Sequence, residues 1–164
     1  MTDFRALLQA LAGSGVEYIV VGGAAATAHG SARLTLDMDV VYNRTRDNLA
    51  RVVASMADHH PYLRGAPPGL PFHWDVETIR RGLNFTLTTD LGAIDFLGEI
   101  VGGGDYDALL PYADTLTPFG IDCLCLSLER LIHVKRAAGR VKDLEAIAEL
   151  EAIAEERRRS EEKS

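Results

Sequence analysis

The stretch Tyr18-Ile19-Val20-Val21-Gly22-Gly23-Ala24-Ala25-Ala26-Thr27-Ala28-His29-Gly30-Ser31-Ala32-Arg33-Leu34-Thr35-Leu36-Asp37-Met38-Asp39-Val40-Val41-Tyr42 decides how this chain is read. Its first four residues form a short apolar strand that delivers the backbone to two glycines. Ala24 to His29 then reads as a short helix with Gly30 near its C-terminal cap. Glycine tolerates positive φ and lets a ligand approach the backbone closely. A helix N-terminus adds unpaired N–H groups and a partial positive charge, so this corner suits a phosphate. Thirteen residues separate Gly23 from Asp37. Asp37 and Asp39 stand two apart in a second strand, Leu36 to Tyr42, and so share one face. Leu36, Met38 and Val40 are expected to anchor the opposite face in the core.

Adjacent carboxylates repel unless protons or cations compensate them. Oxygen donors of this type suit Mg²⁺, which takes one or two carboxylates and completes its shell with water and substrate phosphates. Two-metal phosphoryl chemistry asks for a third carboxylate. Asp95 is the best candidate, because it lies in Ala93-Ile94-Asp95-Phe96-Leu97, an apolar strand where a lone carboxylate is costly. Asp90 sits in the preceding turn, where Asp is ordinary. The pattern reads as a nucleotide–metal site built on Asp37, Asp39 and Asp95.

Outward from this stretch the chain reads as a mixed α/β protein. Phe4, Leu7, Leu8 and Leu11 carry helical spacing, stopped by Gly13 and Gly15. Thr45 caps a helix whose inner face is Leu49, Val52, Val53 and Met56. From His59 to Pro71, Pro61, Gly65, Pro67, Pro68, Gly69 and Pro71 exclude regular structure and leave a functional or mobile loop. Phe85 to Thr89 and Ala93 to Leu97 read as a hairpin. Asp105 caps a short helix after a glycine loop, Ile121 to Leu126 is a strand, and Ser127 caps a helix over Leu128 to Ala138. Gly139 ends that helix before a last one from about Val141.

These elements make one domain over 1–154, with a helical C-terminal part at about 127–154 and a charged tail at 155–164 that is expected to fray. Leu-Glu-Ala-Ile-Ala-Glu occurs at Leu144–Glu149 and again at Leu150–Glu155. Six residues turn a helix by about 600°, which displaces the second apolar stripe by about 120°. Leu150 and Ile153 are therefore expected to turn away from the first copy's core, toward solvent or a second chain in a homodimer.

Charge and composition limit the function. Seventeen Lys and Arg against 24 Asp and Glu give a net charge of −7, which argues against an extended basic coat for nucleic acid. Five of the bases, Arg130, Lys135, Arg136, Arg140 and Lys142, nevertheless fall in one thirteen-residue stretch. A nucleotide or a tRNA end therefore stays admissible. No apolar run approaches the ~18 residues of a membrane span, and Met1 to Arg5 has no signal-peptide pattern. Cys123 and Cys125 are too close for an ordinary disulfide and read as buried thiols in a reducing, cytoplasmic setting. The histidines show no metal-like spacing with them. Phe72 and Trp74 read as core packing ahead of base stacking.

Gly22-Gly23, thirteen residues, then Asp37-x-Asp39 between apolar residues is similar to the signature of the polymerase-β-like nucleotidyltransferases. Arg33-x-Thr35-x-Asp37-x-Asp39 resembles the form found in abortive-infection (AbiEii-type) toxins and related small bacterial members. Ser127 to Leu144, with Lys135, Arg140, Lys142 and Asp143, resembles their C-terminal motif. The resemblance implies a small mixed β-sheet flanked by helices, and transfer of a nucleoside monophosphate from an NTP such as ATP with Mg²⁺, two ions, or Mn²⁺. Gly22 and Gly23 would hold the triphosphate, with Arg33, Thr35, Lys135 and Arg140 in the same nucleotide-binding group. Asp37, Asp39 and Asp95 would hold metal, and Asp95 would assist deprotonation of the acceptor hydroxyl. Gly23 departs from the serine common at that position in the superfamily and supplies no hydroxyl. The implied acceptor is a protein hydroxyl or a tRNA 3′ end in a toxin–antitoxin or phage-defence setting, with a cognate partner protein. An antibiotic-modifying nucleotidyltransferase, or a non-catalytic antitoxin or interaction module, are the alternatives.

Overall fold

Residues 1–163 are described by a computed structural model. Asp3 accepts a hydrogen bond from the Ala6 N–H and starts helix α1 (Phe4–Gly13), which buries Leu7, Leu8 and Leu11. Strand β1 (Tyr18–Val21) is buried throughout and enters helix α2 (Gly22–Ala28) without a linker. The two glycines thus begin the helix instead of preceding it. Strand β2 (Asp37–Tyr42) alternates half-buried Asp37 and Asp39 with buried Met38 and Val40. Leu36 falls outside the strand and is 72% exposed, so Met38 and Val40 do the anchoring without it. Helix α3 (Arg46–Met56) is capped by Thr45 and buries Leu49, Val52 and Met56, with Val53 only half-buried.

The segment expected to be irregular contains an edge strand. After a single 3₁₀ turn at Ala57–His59, β3 (Tyr62–Leu63) pairs antiparallel with β4 (Phe85–Thr89). Two residues are too few to show a period in sequence, and the flanking prolines and glycines hide them. Helix α4 (Val76–Arg81), capped by Asp75, is a second element that the sequence reading did not contain.

The hairpin partner is β5 (Gly92–Leu97), and β6 (Glu99–Ile100) with β7 (Gly104–Asp105) makes a small ribbon. Asp105 caps helix α5 (Tyr106–Leu109). Strand β8 (Ala113–Leu116) was not foreseen, because its polar sequence and open edge position leave no apolar alternation. Strand β9 (Cys123–Leu126) leads through the Ser127 cap to helix α6 (Leu128–Ala138), which ends on Gly139 at φ 65°. Helix α7 (Asp143–Glu162) closes the described chain.

The main sheet has the order β3-β4-β5-β2-β1-β9-β8. The β2–β5 and β1–β9 contacts are parallel and the other four antiparallel, giving a mixed sheet flanked by helices, the fold class expected from sequence.

Helix α7 corrects two expectations. It continues through Glu155–Glu162, where fraying was expected, with Arg158 and Arg159 both ion-paired to Glu155 one turn away. Its core stripe is Asp143, Ala146 and Leu150, with Ile153 half-buried behind them. Leu150 is 1% exposed against its own chain, whereas Leu144 of the first copy is 63% exposed. The buried face thus takes Ala146 from the first copy and Leu150 from the second, beside the buried Asp143, so the second copy is not turned away from the core. This removes Leu150 as the reason for a homodimer. No helix among the described residues is long and apolar enough to cross a membrane.

Candidate active site

Parallel pairing of β2 with β5 sets Asp39 directly opposite Asp95 and Asp37 opposite Ala93. On the other flank of β2, Val21 of β1 lies opposite Asp39, so the turn into α2 passes beside that carboxylate. Carboxylate oxygens of Asp37, Asp39 and Asp95 all lie within 4.8 Å of one another. The three acids named from sequence therefore meet at one point of the sheet.

Gly22 has φ 63°, and a Cβ there would stand 2.5 Å from Asp39 Oδ2. Glycine is required at this position twice, for its dihedral angle and for the carboxylate's space. A Cβ on Gly23 would meet Thr35 Oγ1 at 2.6 Å. That hydroxyl instead donates to the Asp37 carbonyl at 3.1 Å, so Thr35 steadies the approach to β2.

Burial pushes the Asp39 carboxyl up to about 8, with the charges of Asp37 and Asp95 adding to the shift. Asp37 is also raised, by burial first and then by Asp95. Asp39 Oδ1 is buried and has no hydrogen-bond partner among the described residues. Three converging carboxylates, one with an orphaned oxygen, fit a hard divalent cation such as Mg²⁺ or Mn²⁺.

A fourth residue enters that sequence reasoning missed. Arg64, just past β3, places Nη2 2.5 Å from Asp95 Oδ1 and Nη1 3.3 Å from Asp37 Oδ2. Its Nη2 also donates to the Leu87 carbonyl at 2.9 Å, and its backbone N–H donates to the Thr86 carbonyl at 2.9 Å. The available signal was slight: Arg64 is the one Lys or Arg between Arg51 and Arg80.

The basic residues expected around the nucleotide divide between two adjoining cavities. The larger, about 380 Å³, is lined by Gly22, Asp39, Lys135 and Arg140 together with apolar Ile100 and Val134. The smaller, about 90 Å³, is lined by Gly23, Arg33, Thr35 and Lys135. Lys135 borders both. Asp143, 4% exposed, pairs with Arg140 at 2.8 Å and Lys135 at 3.8 Å, fixing both cations. Arg33 lies 3.6 Å from Glu145 in an exposed pair. Glu149 accepts from Ser31 Oγ at 2.5 Å and from the Ala32 N–H at 3.2 Å, so α7 pins the loop that carries Arg33 and Thr35.

The remaining sequence candidates serve structure. Asp90 pairs with His60 at 2.5 Å. Cys123 and Cys125 are buried free thiols with their sulfurs 3.8 Å apart. Trp74 packs against Phe96 with ring centroids 5.8 Å apart and donates its indole N–H to Val53. His29 donates from Nε2 to the Leu126 carbonyl at 2.8 Å, and burial lowers its pKa.

No family model and no curated protein matches the chain. Among solved structures, it is similar to a crystal structure from Thermotoga maritima provisionally named a nucleotidyltransferase, at 15% identity over 88% of each chain and a TM-score of 0.54. The chain thus has the fold of that nucleotidyltransferase structure, reached here through a sheet whose central strands carry three converging carboxylates.

Proposed function

We propose that the protein is a divalent-metal-dependent nucleotidyltransferase that moves a nucleoside monophosphate from an NTP to a hydroxyl of a macromolecular acceptor. The observation that carries this reading is the meeting of Asp37, Asp39 and Asp95 beside Gly22 and a cavity bordered by Lys135 and Arg140. The likeness in fold supports it at the level of the reaction class.

In this reading Asp37, Asp39 and Asp95 hold the metal. Bound Mg²⁺ supplies charge neutralisation of the triphosphate and a lower pKa for the attacking hydroxyl. The acceptor oxygen forms a bond to the α-phosphorus while the bond to the bridging oxygen breaks, and pyrophosphate leaves with that electron pair. Asp95 accepts the hydroxyl proton. Gly22 and Gly23 leave room for the phosphates beside the backbone, and Lys135 and Arg140 balance the charge that collects on the leaving pyrophosphate. Most of the rate enhancement then comes from position and electrostatics.

For the acceptor, the resemblance of the motif around Lys135 and Asp143 supports a protein side chain or a tRNA 3′ end in a toxin–antitoxin or phage-defence setting. The test incubates the protein with each labelled NTP, Mg²⁺, and separately a lysate protein fraction, bulk tRNA, or an aminoglycoside, beside an Asp39→Ala control. Label in protein or tRNA that disappears with Asp39→Ala supports the proposal. Label in the aminoglycoside moves the protein to antibiotic modification. Absence of Asp39-dependent label in all three overturns the enzyme reading in favour of a binding module.

A further inference from the structure

We propose that Arg64 is a built-in counter-cation of the acid cluster, a positioning residue that orients Asp95 and sets how tightly the site takes a divalent ion. The inference rests on the metal-site reading above. Arg64 is anchored outside the cluster at two points, Thr86 and Leu87, both on β4. The first bond fixes its backbone, and the second gives the guanidinium a hold on the sheet besides the carboxylates. From there it grips the cluster unequally, 2.5 Å to Asp95 Oδ1 and 3.3 Å to Asp37 Oδ2. Asp39 feels the charge of Arg64 but receives no hydrogen bond from it, and its Oδ1 is left without a partner among the described residues.

Two consequences follow. One positive charge against three negative ones leaves a deficit that a divalent ion fills, so the metal-free site is held together without being satisfied. The Nη2 contact on Asp95 Oδ1 also orients that carboxylate and leaves its other oxygen available for an ion or a proton. The same guanidinium repels an arriving cation. Arg64 thus trades affinity for geometry: it weakens metal binding while it keeps Asp95 in place.

This predicts opposite signs for two measurements on one variant, which loss of structure alone would not produce. Mn²⁺ binding to the full chain is measured by titration calorimetry at pH 8.5, and NMP transfer is measured alongside. Arg64→Met is expected to bind Mn²⁺ about tenfold more tightly, since a nearby like charge has gone, and to transfer about a hundredfold more slowly, since Asp95 has lost its orienting partner. Arg64→Lys keeps the charge without the two-pronged fork. It is expected to bind Mn²⁺ within about threefold of wild type while transferring about tenfold more slowly.

Equal or weaker Mn²⁺ binding by folded Arg64→Met overturns the inference. Should Arg64→Met fail to fold, binding by Arg64→Lys tightened beyond about threefold overturns it instead. A wild-type protein that binds no Mn²⁺ removes the metal-site reading and this inference with it. Wild-type binding without tightening in Arg64→Met removes the inference alone.

Discussion

Two charged clusters stand around one cavity with opposite imbalances. Asp37, Asp39 and Asp95 share a single guanidinium, Arg64, whereas a single carboxylate, Asp143, is shared by Lys135 and Arg140. The first is left short of positive charge and the second holds an excess of it. A divalent cation answers the one and a triphosphate the other. The comparison also shows how a chain of net charge −7 presents a surface suited to an anion: charge is zoned by the fold, so the total is a poor guide to the site.

The largest effect is expected from Asp39→Asn, which breaks the acidic side. Mg²⁺-dependent NMP transfer should fall at least about a thousandfold. The metal-free protein should at the same time melt at a higher temperature, because a carboxylate pushed up by burial and like charges no longer strains the fold. Next, Gly22→Ala tests whether the backbone corner is fitted to Asp39. The added Cβ clashes with the carboxylate at a left-handed dihedral angle, so denaturant unfolding should show a loss of about 2 kcal/mol.

The basic side is broken more gently. Lys135→Met should raise the KM for NTP about tenfold and leave Mn²⁺ affinity unchanged, which separates the two clusters by function. Asp143→Asn should cost about 2 kcal/mol of stability, a figure kept low because Arg140 is half exposed. The smallest effect concerns His29, which lies outside both clusters and serves as a control. Burial lowers its pKa in the folded state, so the unfolded chain takes up the proton more readily. Stability is then complete above the ordinary histidine value of 6.5 and declines as the pH falls through it. His29→Gln should flatten that decline in thermal melts across the same range, without altering transfer at neutral pH.

The two clusters were not equally legible in the sequence. Asp37 and Asp39 announce themselves by their spacing on an apolar strand, and Asp95 by being a lone acid in another. Strand pairing then brings Asp95 opposite Asp39, a contact that needs only the sheet to form. Arg64 was hidden because it reaches the cluster from just past a two-residue edge strand among prolines and glycines, where no period survives. Asp143 was visible as a motif residue, yet its burial was not, because it follows from how α7 docks. That docking also decided the fate of the repeated Leu-Glu-Ala-Ile-Ala-Glu. The expected separation of the two copies fails: Ala146 of the first and Leu150 of the second lie on one buried face, which only the docking of α7 decides. Local pattern wrote the central strands and most caps; edges and docking registers are tertiary facts.

The most direct test of the central claim compares two labels on one NTP. With the acceptor fraction that gives product, ³²P at the α-phosphate should appear in the product and ³²P at the γ-phosphate should appear only in released pyrophosphate. Both signals should vanish with Asp39→Asn or on chelation of the metal. Product labelled from the γ-phosphate, or α-labelled product that survives Asp39→Asn, would contradict the account.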